Sequence, residues 1–154
     1  MVPTRAERLA HAKAYIAAWN AGDREGFCGS WANVAKGAIY MVDPVGTAVK
    51  HSENAVEYLG HTFDLFHKQL KMTMIIVKVN GDDAAWVIEN RYGNNPMTHS
   101  IELMHWDPDG TLHVKTYYDM PESVGVNDDP YAHILKTNNN KEQMEELEAF
   151  KKGS

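Results

Sequence analysis

Three side chains set in apolar sequence, Tyr15, Asp43 and Glu102, are of the right types to move a proton together. For that chemistry one carboxylate must be ionised to act as a base, while the other stays protonated and donates a hydrogen bond. Apolar burial is what keeps a carboxylic acid neutral near pH 7. The pattern therefore predicts acid/base chemistry on a hydrophobic substrate, with the tyrosine as a second hydrogen-bond donor.

Each of these residues also has a purely structural interpretation. Asp43 precedes Pro44 and could serve only as a turn former. Tyr15 could be a core residue whose hydroxyl is satisfied, and Glu102 could be buried in an ion pair, because an isolated buried carboxylate is costly. Asp119 follows Tyr117 and Tyr118. It could line a pocket, or it could form a surface pair with Lys115.

Period-two alternation divides residues 98–106 into two faces. One face would carry Thr98, Ser100, Glu102, Met104 and Trp106, and the other would carry the histidines at positions 99 and 105. If Glu102 faces a pocket, these histidines lie on the outer surface, where a dimer interface is expected, and are not catalytic.

Residues 84–92 allow two opposite registers, which the sequence leaves open. One register would place Glu89 and Arg91 inside. Counting from the Asn80-Gly81 turn would instead place Trp86, Ile88 and Asn90 inside.

The elements that must position these residues are readable from periodicity and turn signals. A helix is predicted over residues 4–20, with Thr4 as N-cap, Leu9, Ala12, Ile16 and Trp19 on its apolar stripe, and Gly22 at its end. Asp23 would cap a short second helix. A strand over 38–42 leads into a turn at 43–46 and a possible return strand at 47–50. A third helix would follow, capped by Ser52.

Four further strands are predicted after the third helix, separated by Gly-, Asn- and Pro-rich turns. They cover residues 71–80, 84–92, 98–106 and 112–119. Segregated helices and an antiparallel meander indicate an α+β fold. The predicted architecture is a cone, in which a curved antiparallel sheet wraps around the N-terminal helices and encloses an apolar pocket.

Composition narrows the class of protein. The 154 residues are 44% hydrophobic with a net charge of −6, which suits one compact domain and makes nucleic acid or an anionic membrane an unexpected partner. Cys28 is the single cysteine, as expected for a cytoplasmic protein. No stretch approaches the roughly 20 apolar residues of a membrane span. The histidine spacing predicts no metal site.

Residues 1–121 are predicted to form the cone-shaped domain, and residues 122–154 a C-terminal extension. Within the extension, residues 142–152 predict a charged helix whose thin apolar edge carries Met144, Leu147 and Phe150. Such a helix could be a simple surface helix, a lid over the pocket, or an arm that contacts a partner subunit.

The order of elements and two local motifs resemble bacterial ketosteroid isomerases, within the SnoaL-like and nuclear-transport-factor-like superfamily. One motif is Tyr15 followed by Asn-Ala-Gly-Asp at 20–23, and the other is Asp-Pro-Val-Gly at 43–46. A weaker match is Ile101-Glu102 with Met104 and Trp106. The resemblance covers residues 6–121. The Asn-Ala-Gly-Asp motif is common in the superfamily and indicates fold rather than function.

The resemblance implies a role for each polar residue. Tyr15 would be the oxyanion tyrosine, Asp43 the general base, and Glu102 the protonated acid that completes the oxyanion hole. Glu102 departs from the family, which has aspartate there. Asp119 matches instead a functional aspartate of epoxide-hydrolase-like and SnoaL-like cyclase relatives.

The expected function is therefore cofactor-independent proton transfer on a small aromatic or polycyclic substrate, as in a double-bond isomerase. Two alternatives stay open. One is a SnoaL-like lyase or hydrolase that uses Asp119 or Asp43 for retro-aldol cleavage, dehydration or epoxide opening. The other is a non-catalytic ligand-binding module. A homodimer through the convex face of the sheet is expected. The side chains expected to line the pocket are Tyr40, Trp19, Leu59, Phe63, Met104, Trp106 and Tyr117.

Overall fold

The structure is a computed structural model that describes residues 2–43 and 55–119. Within these ranges the elements are α1 (Arg5–Ala21), α2 (Arg24–Val34), β1 (Ile39–Val42), α3 (Ala55–Phe66), β2 (Leu70–Asn80), β3 (Asp83–Tyr92), β4 (Thr98–Trp106) and β5 (Leu112–Tyr118). The predicted turn at 43–46 beyond Asp43, the return strand at 47–50, the Ser52 cap and the C-terminal extension lie outside the described residues.

The first helix begins and ends as its sequence predicts. The Thr4 side chain accepts a hydrogen bond from the Glu7 backbone, and the Glu7 side chain accepts one from the Thr4 backbone, so a full capping box is present. Gly22 ends the helix in the left-handed conformation, at a φ of 72°. No helix in the described ranges is long and apolar enough to cross a membrane.

The motif at residues 20–23 has a structural role at three of its positions. The Asn20 side chain donates to the carbonyl of Met72 and accepts from the Met72 amide, at 2.7 and 3.1 Å, which fixes the end of α1 to β2. Gly22 supplies the positive φ, and Asp23 caps α2 by accepting from the Gly26 amide at 2.9 Å. The motif thus orients the helix pair against the sheet, as expected of a signature of fold.

The five strands form one open sheet in the order β1-β5-β4-β3-β2. The antiparallel meander of β2 to β5 is confirmed, but the sheet as a whole is mixed because β1 pairs with β5 in parallel. A pairing between strands some 70 residues apart leaves no mark in local periodicity. A bulge between Met74 and Ile76 interrupts the register of β2 with β3, and bulges increase local twist.

The core lies between the helices and one face of the sheet. From residue 99 onward alternation along β4 is strict, with positions 100, 102, 104 and 106 buried and positions 99, 101, 103 and 105 exposed; Thr98, predicted on the inner face, is exposed at the strand's start. The two predicted outer histidines are therefore on the outer face. The largest fully buried side chains include Trp31, Trp86, Trp106 and Phe27. These rings fill the space above the sheet, into which Glu102 also points.

Candidate active site

Tyr15 and Glu102 approach each other across the core. Tyr15 lies on the sheet-facing side of α1, and Glu102 lies at the centre of the inner face of β4. The tyrosine hydroxyl is placed to donate to Oε1 of Glu102 at 3.4 Å, and the two side chains are 6% and 5% exposed. Three rings surround the tyrosine, with centroids at 5.0, 5.6 and 5.2 Å for Phe27, Trp31 and Trp86. The pair is thus enclosed by apolar surface.

Both groups hold their protons at neutral pH. Burial raises the pKa of Glu102 to about 8, and the charge of Asp43 contributes to the rise, while the hydrogen bond from Tyr15 opposes it. Burial also raises the pKa of Tyr15 well above its ordinary value, followed by the influence of Glu102, Tyr118 and Asp43. The site therefore presents two neutral acids, each able to donate a hydrogen bond to a developing negative charge.

Asp43 belongs to the same compartment. It directly follows β1 and is 7% exposed. Its charge contributes to the raised pKa of both Tyr15 and Glu102, which is the electrostatic signature of a carboxylate close to each. The backbone at Asp43 is fixed from the other side, because the Tyr58 hydroxyl of α3 donates to the Asp43 carbonyl.

Five of the predicted pocket residues lie on the inner side of the sheet and helices. Trp19, Leu59, Phe63, Met104 and Trp106 are all buried. The indole of Trp19 donates to the Leu70 carbonyl at 2.8 Å, and that of Trp106 donates to the Val34 carbonyl at 3.2 Å. Because these N–H groups are already bonded to backbone, the two tryptophans offer a ligand only apolar surface.

Three predicted site residues lie elsewhere, which corrects the placement expected from the sequence. Tyr40 and Tyr117 are 47% and 43% exposed, and Asp119 is also exposed. On β5 the buried positions are Leu112, Val114 and Thr116, so the odd-numbered positions point outward. Tyr40 stacks on His113 at 5.4 Å on the same outer face. The structure does not bring these residues to Tyr15, Asp43 and Glu102.

The open register of β3 is settled by burial. Trp86, Ile88 and Asn90 are buried on the inner face, whereas Arg91 is exposed. Glu89 is outside and lies 3.9 Å from His99 of β4. Counting from the Asn80-Gly81 turn thus gave the correct face. Trp86 is directly opposite Glu102 in the register, so its ring lies beside the carboxyl.

Sequence reasoning missed several polar residues of this interior, among them Arg8, His11 and Tyr58. His11 is 4% exposed and lies one helical turn before Tyr15. The buried side of α1 follows Arg8, His11, Tyr15 and Trp19, a stripe rotated from the predicted one, on which Leu9 and Ile16 are only half-buried. These four residues follow one another at intervals of 3, 4 and 4, a helical spacing that could have identified the buried stripe. Three of them are polar or amphipathic, so a search for apolar residues at that spacing does not find them.

The part of the chain that the structure describes contains no group of three or more His, Cys, Asp or Glu side chains arranged to hold a metal ion. Three acids meet at this site. These are one carboxylate, one protonated carboxyl and one phenol around apolar surface.

No protein-family model and no curated protein matches this chain. A candidate SnoaL-like polyketide cyclase from Jannaschia sp. CCS1 matches at 11% identity with a TM-score of 0.56, over 84% of this chain and 98% of that one. A candidate ketosteroid isomerase from Kribbella flavida matches at 14% identity with a TM-score of 0.54, over 75% and 80%.

A computationally designed 17-OHP binder also matches, at 15% identity with a TM-score of 0.56, over 74% of this chain and 94% of that one. Identities this low establish the fold and leave the activity open. The expectation from the sequence is confirmed at that level. The chain has the α+β cone fold that SnoaL-like, NTF2-like and ketosteroid-isomerase-like proteins share.

Proposed function

We propose that the protein is an acid/base enzyme that removes a proton from carbon next to a carbonyl group and returns it to another carbon. The observation that carries this proposal is the neutral pair Tyr15 and Glu102, enclosed in apolar surface within the electrostatic reach of Asp43. The substrate is a small hydrophobic ketone, aromatic or polycyclic, because the surrounding walls are aromatic rings.

Each step of the reaction assigns one role to one residue. The Asp43 carboxylate takes the proton, and the electrons of the broken C–H bond move into a dienolate. The negative charge collects on the former carbonyl oxygen, which accepts hydrogen bonds from Tyr15 and from protonated Glu102. Asp43 then returns the proton to the distant end of the dienolate, so the double bond shifts and no net electron transfer occurs.

The two donors supply the largest part of the catalysis in this scheme. A preorganised donor aimed at a developing oxyanion typically contributes about 2.7–4 kcal/mol to the transition state. Burial strengthens such interactions and removes the need to reorganise water. The side chain of Glu102 is one methylene longer than aspartate. Its carboxyl is nonetheless within reach of Tyr15, so both donors can address one oxygen.

A lyase or hydrolase is the second candidate, and the similarity to a candidate polyketide cyclase favours it. Among the carboxylates named for this chemistry, burial favours Asp43 over Asp119. Asp43 would then deprotonate a substrate hydroxyl for retro-aldol cleavage, or activate water for epoxide opening. A ligand-binding module is a third candidate, since a designed 17-OHP binder has the same fold.

Turnover of a β,γ-unsaturated ketone tests the proposal, because the conjugated product absorbs in the near ultraviolet. Asp43→Asn should lower kcat by at least about 10²-fold, the usual contribution of a general base, and should leave ligand binding intact. Asp119→Asn, the same change at an exposed position, should retain activity. Activity that survives at Asp43→Asn but is lost at Asp119→Asn would contradict the proposal and favour a lyase or hydrolase. Binding without turnover by the wild type would favour the binding module.

A further inference from the structure

The interior contains a second set of polar atoms that the proposed reaction does not use. Neither ring nitrogen of His11 has a hydrogen-bond partner among the described residues, and the indole Nε1 of Trp31 has none either. His11 is 4% exposed and Trp31 is 1% exposed. The Nε of Arg8, one turn earlier on α1, is a third buried donor that has no hydrogen-bond partner among the described residues.

His11 and Trp31 are neighbours in one aromatic cluster. The rings of His11 and Trp31 pack edge to face at a centroid distance of 4.7 Å. Trp86 connects them to the oxyanion pair, because its ring lies 5.0 Å from His11 and 5.2 Å from Tyr15. The His11 and Tyr15 centroids are 6.3 Å apart. The polar set thus lies about one helical turn from the proposed oxyanion hole.

Such a set is unusual in a protein interior. At least about 90% of buried polar groups have a partner, and leaving one unsatisfied typically costs 1–3 kcal/mol. Here His11 and Trp31 present three such atoms side by side. If His11 had only a structural role, phenylalanine would pack in the same way without the cost of unsatisfied polar atoms. The arrangement therefore points to a polar group of a ligand.

The hydrogen-bonding properties of His11 and Trp31 identify the polar group of the ligand as a hydroxyl. Burial lowers the pKa of His11 to about 3, so its ring is neutral and presents one N–H donor and one nitrogen acceptor. A hydroxyl oxygen can accept from the indole of Trp31 while its proton is donated to the imidazole. A carboxylate or an ether oxygen can accept from the indole but has no proton for the imidazole nitrogen.

We propose that His11 and Trp31 form a hydroxyl-binding subsite, which selects aromatic ketones that carry a hydroxyl group at the end away from the carbonyl. The proposal rests on the proposed function in one respect, that the ligand's carbonyl is at Tyr15 and Glu102. It does not depend on Asp43 or on turnover. A ligand that enters must separate the packed rings of His11 and Trp31, so its binding should change the tryptophan fluorescence.

The test compares two planar aryl ketones that differ only in a hydroxyl para to the ketone. Dissociation constants are measured by calorimetry in the Asp43→Asn background, so that no reaction interferes. We expect the hydroxylated ketone to bind about tenfold more tightly, which corresponds to one additional satisfied buried hydrogen bond. His11→Phe should abolish that preference, and Trp31→Phe should reduce it. His61→Phe, the same change at a half-exposed position on α3, should leave it unchanged.

A ketone with a methoxy group in place of the hydroxyl distinguishes hydrogen-bond donation by the ligand from hydrogen-bond acceptance. It should lose most of the advantage, because it cannot donate to the imidazole. The ¹⁵N resonances of the His11 ring supply a readout that needs no variant, and they should shift only with the hydroxylated ketone. Equal affinities for the hydroxylated and plain ketones would overturn the subsite alone and would identify the polar atoms as a site for water. A preference that persists in both variants would overturn it as well. Failure of both ketones to bind would contradict the subsite together with the proposed function.

Discussion

The Tyr15 hydroxyl and the Glu102 carboxyl meet 3.4 Å apart inside the protein, although 87 residues separate them along the chain. The second oxygen of the carboxyl, Oε2, has no hydrogen-bond partner among the described residues. A protonated Glu102 therefore retains hydrogen-bonding capacity for a ligand. The distance is long for a hydrogen bond, and catalytic hydrogen bonds commonly tighten when the substrate binds.

The titration of Glu102 should be far from that of an ordinary glutamate. With a pKa of about 8, its carboxyl stays protonated through neutral pH. ¹³C NMR of the labelled side chain should show a midpoint near that value. In Asp43→Asn the midpoint should move down, because the charge that contributes to the rise is removed. A midpoint near 4.5 in the wild type would remove Glu102 from the oxyanion hole.

Loss of the Tyr15 hydroxyl should act mainly on the transition state. Tyr15→Phe removes one donor and keeps the ring packing against Phe27, Trp31 and Trp86, so kcat should fall by about 10²–10³-fold with a small change in KM. Steady-state kinetics on the β,γ-unsaturated ketone measure both constants. Tyr117→Phe is the matched control at an exposed position and should behave as wild type. A rise in KM with an unchanged kcat would show that Tyr15 only binds the ground state.

Stability should depend on pH through two buried groups with opposite signs. The pKa of Glu102 is raised from 4.5 to about 8, so the folded state binds the extra proton and stability is lost as pH rises through this window. The pKa of His11 is lowered from 6.5 to about 3, so stability is lost as pH falls through that window. Between pH 6.5 and 8 only the Glu102 effect remains, at up to about 1.4 kcal/mol per unit.

Urea unfolding at a series of pH values measures these slopes. Glu102→Gln should remove the decline between pH 6.5 and 8, and His11→Phe should remove the decline on the acid side. A wild-type stability that is flat from pH 6.5 to 8 would show that Glu102 titrates normally.

The outer face of the sheet carries an apolar row that we propose as a homodimer interface. Ile76, Val87, Ile101 and Tyr117 are direct neighbours across four strands, and Ile101 is 43% exposed. Ile101→Lys should halve the mass measured by light scattering. Met97→Lys, at an equally exposed position in the turn between β3 and β4, should leave the mass unchanged. A monomeric wild type at micromolar concentration would contradict the interface.

Local signals predicted the elements well, because capping boxes, turn residues and periodicity act within a few residues. Thr4, Gly22 and Asp23 fixed the helix ends. Alternation on β4 grouped Glu102 with Met104 and Trp106 on one face, and the structure shows that this face is buried. Two kinds of feature were missed. The parallel pairing of β1 with β5 joins distant segments. The face of Tyr117 follows from the register of β5 with β4, where it is opposite the exposed Ile101, and alternation within β5 does not contain that register.

The interior polar residues show a further limit of pattern reading. The buried stripe of α1 contains Arg8, His11 and Tyr15, so a search for apolar residues at helical spacing found only part of it, Ala12 and Trp19. These polar residues are buried because tertiary contacts cover them, and those contacts come from Trp31, Trp86 and Trp106. Sequence periodicity does not encode which rings will cover a histidine.

Hydrogen exchange at the substrate tests the central claim most directly, because it detects proton abstraction whether or not a product forms. The ketone is dissolved in deuterated buffer with the enzyme, and the loss of the proton signal next to the carbonyl is followed by ¹H NMR. Wild type and Asp82→Asn, an exposed control, should exchange this proton at rates far above buffer alone, and Asp43→Asn should slow exchange by at least about 10²-fold. Exchange by Asp43→Asn at the wild-type rate would contradict the assignment of Asp43 as the base.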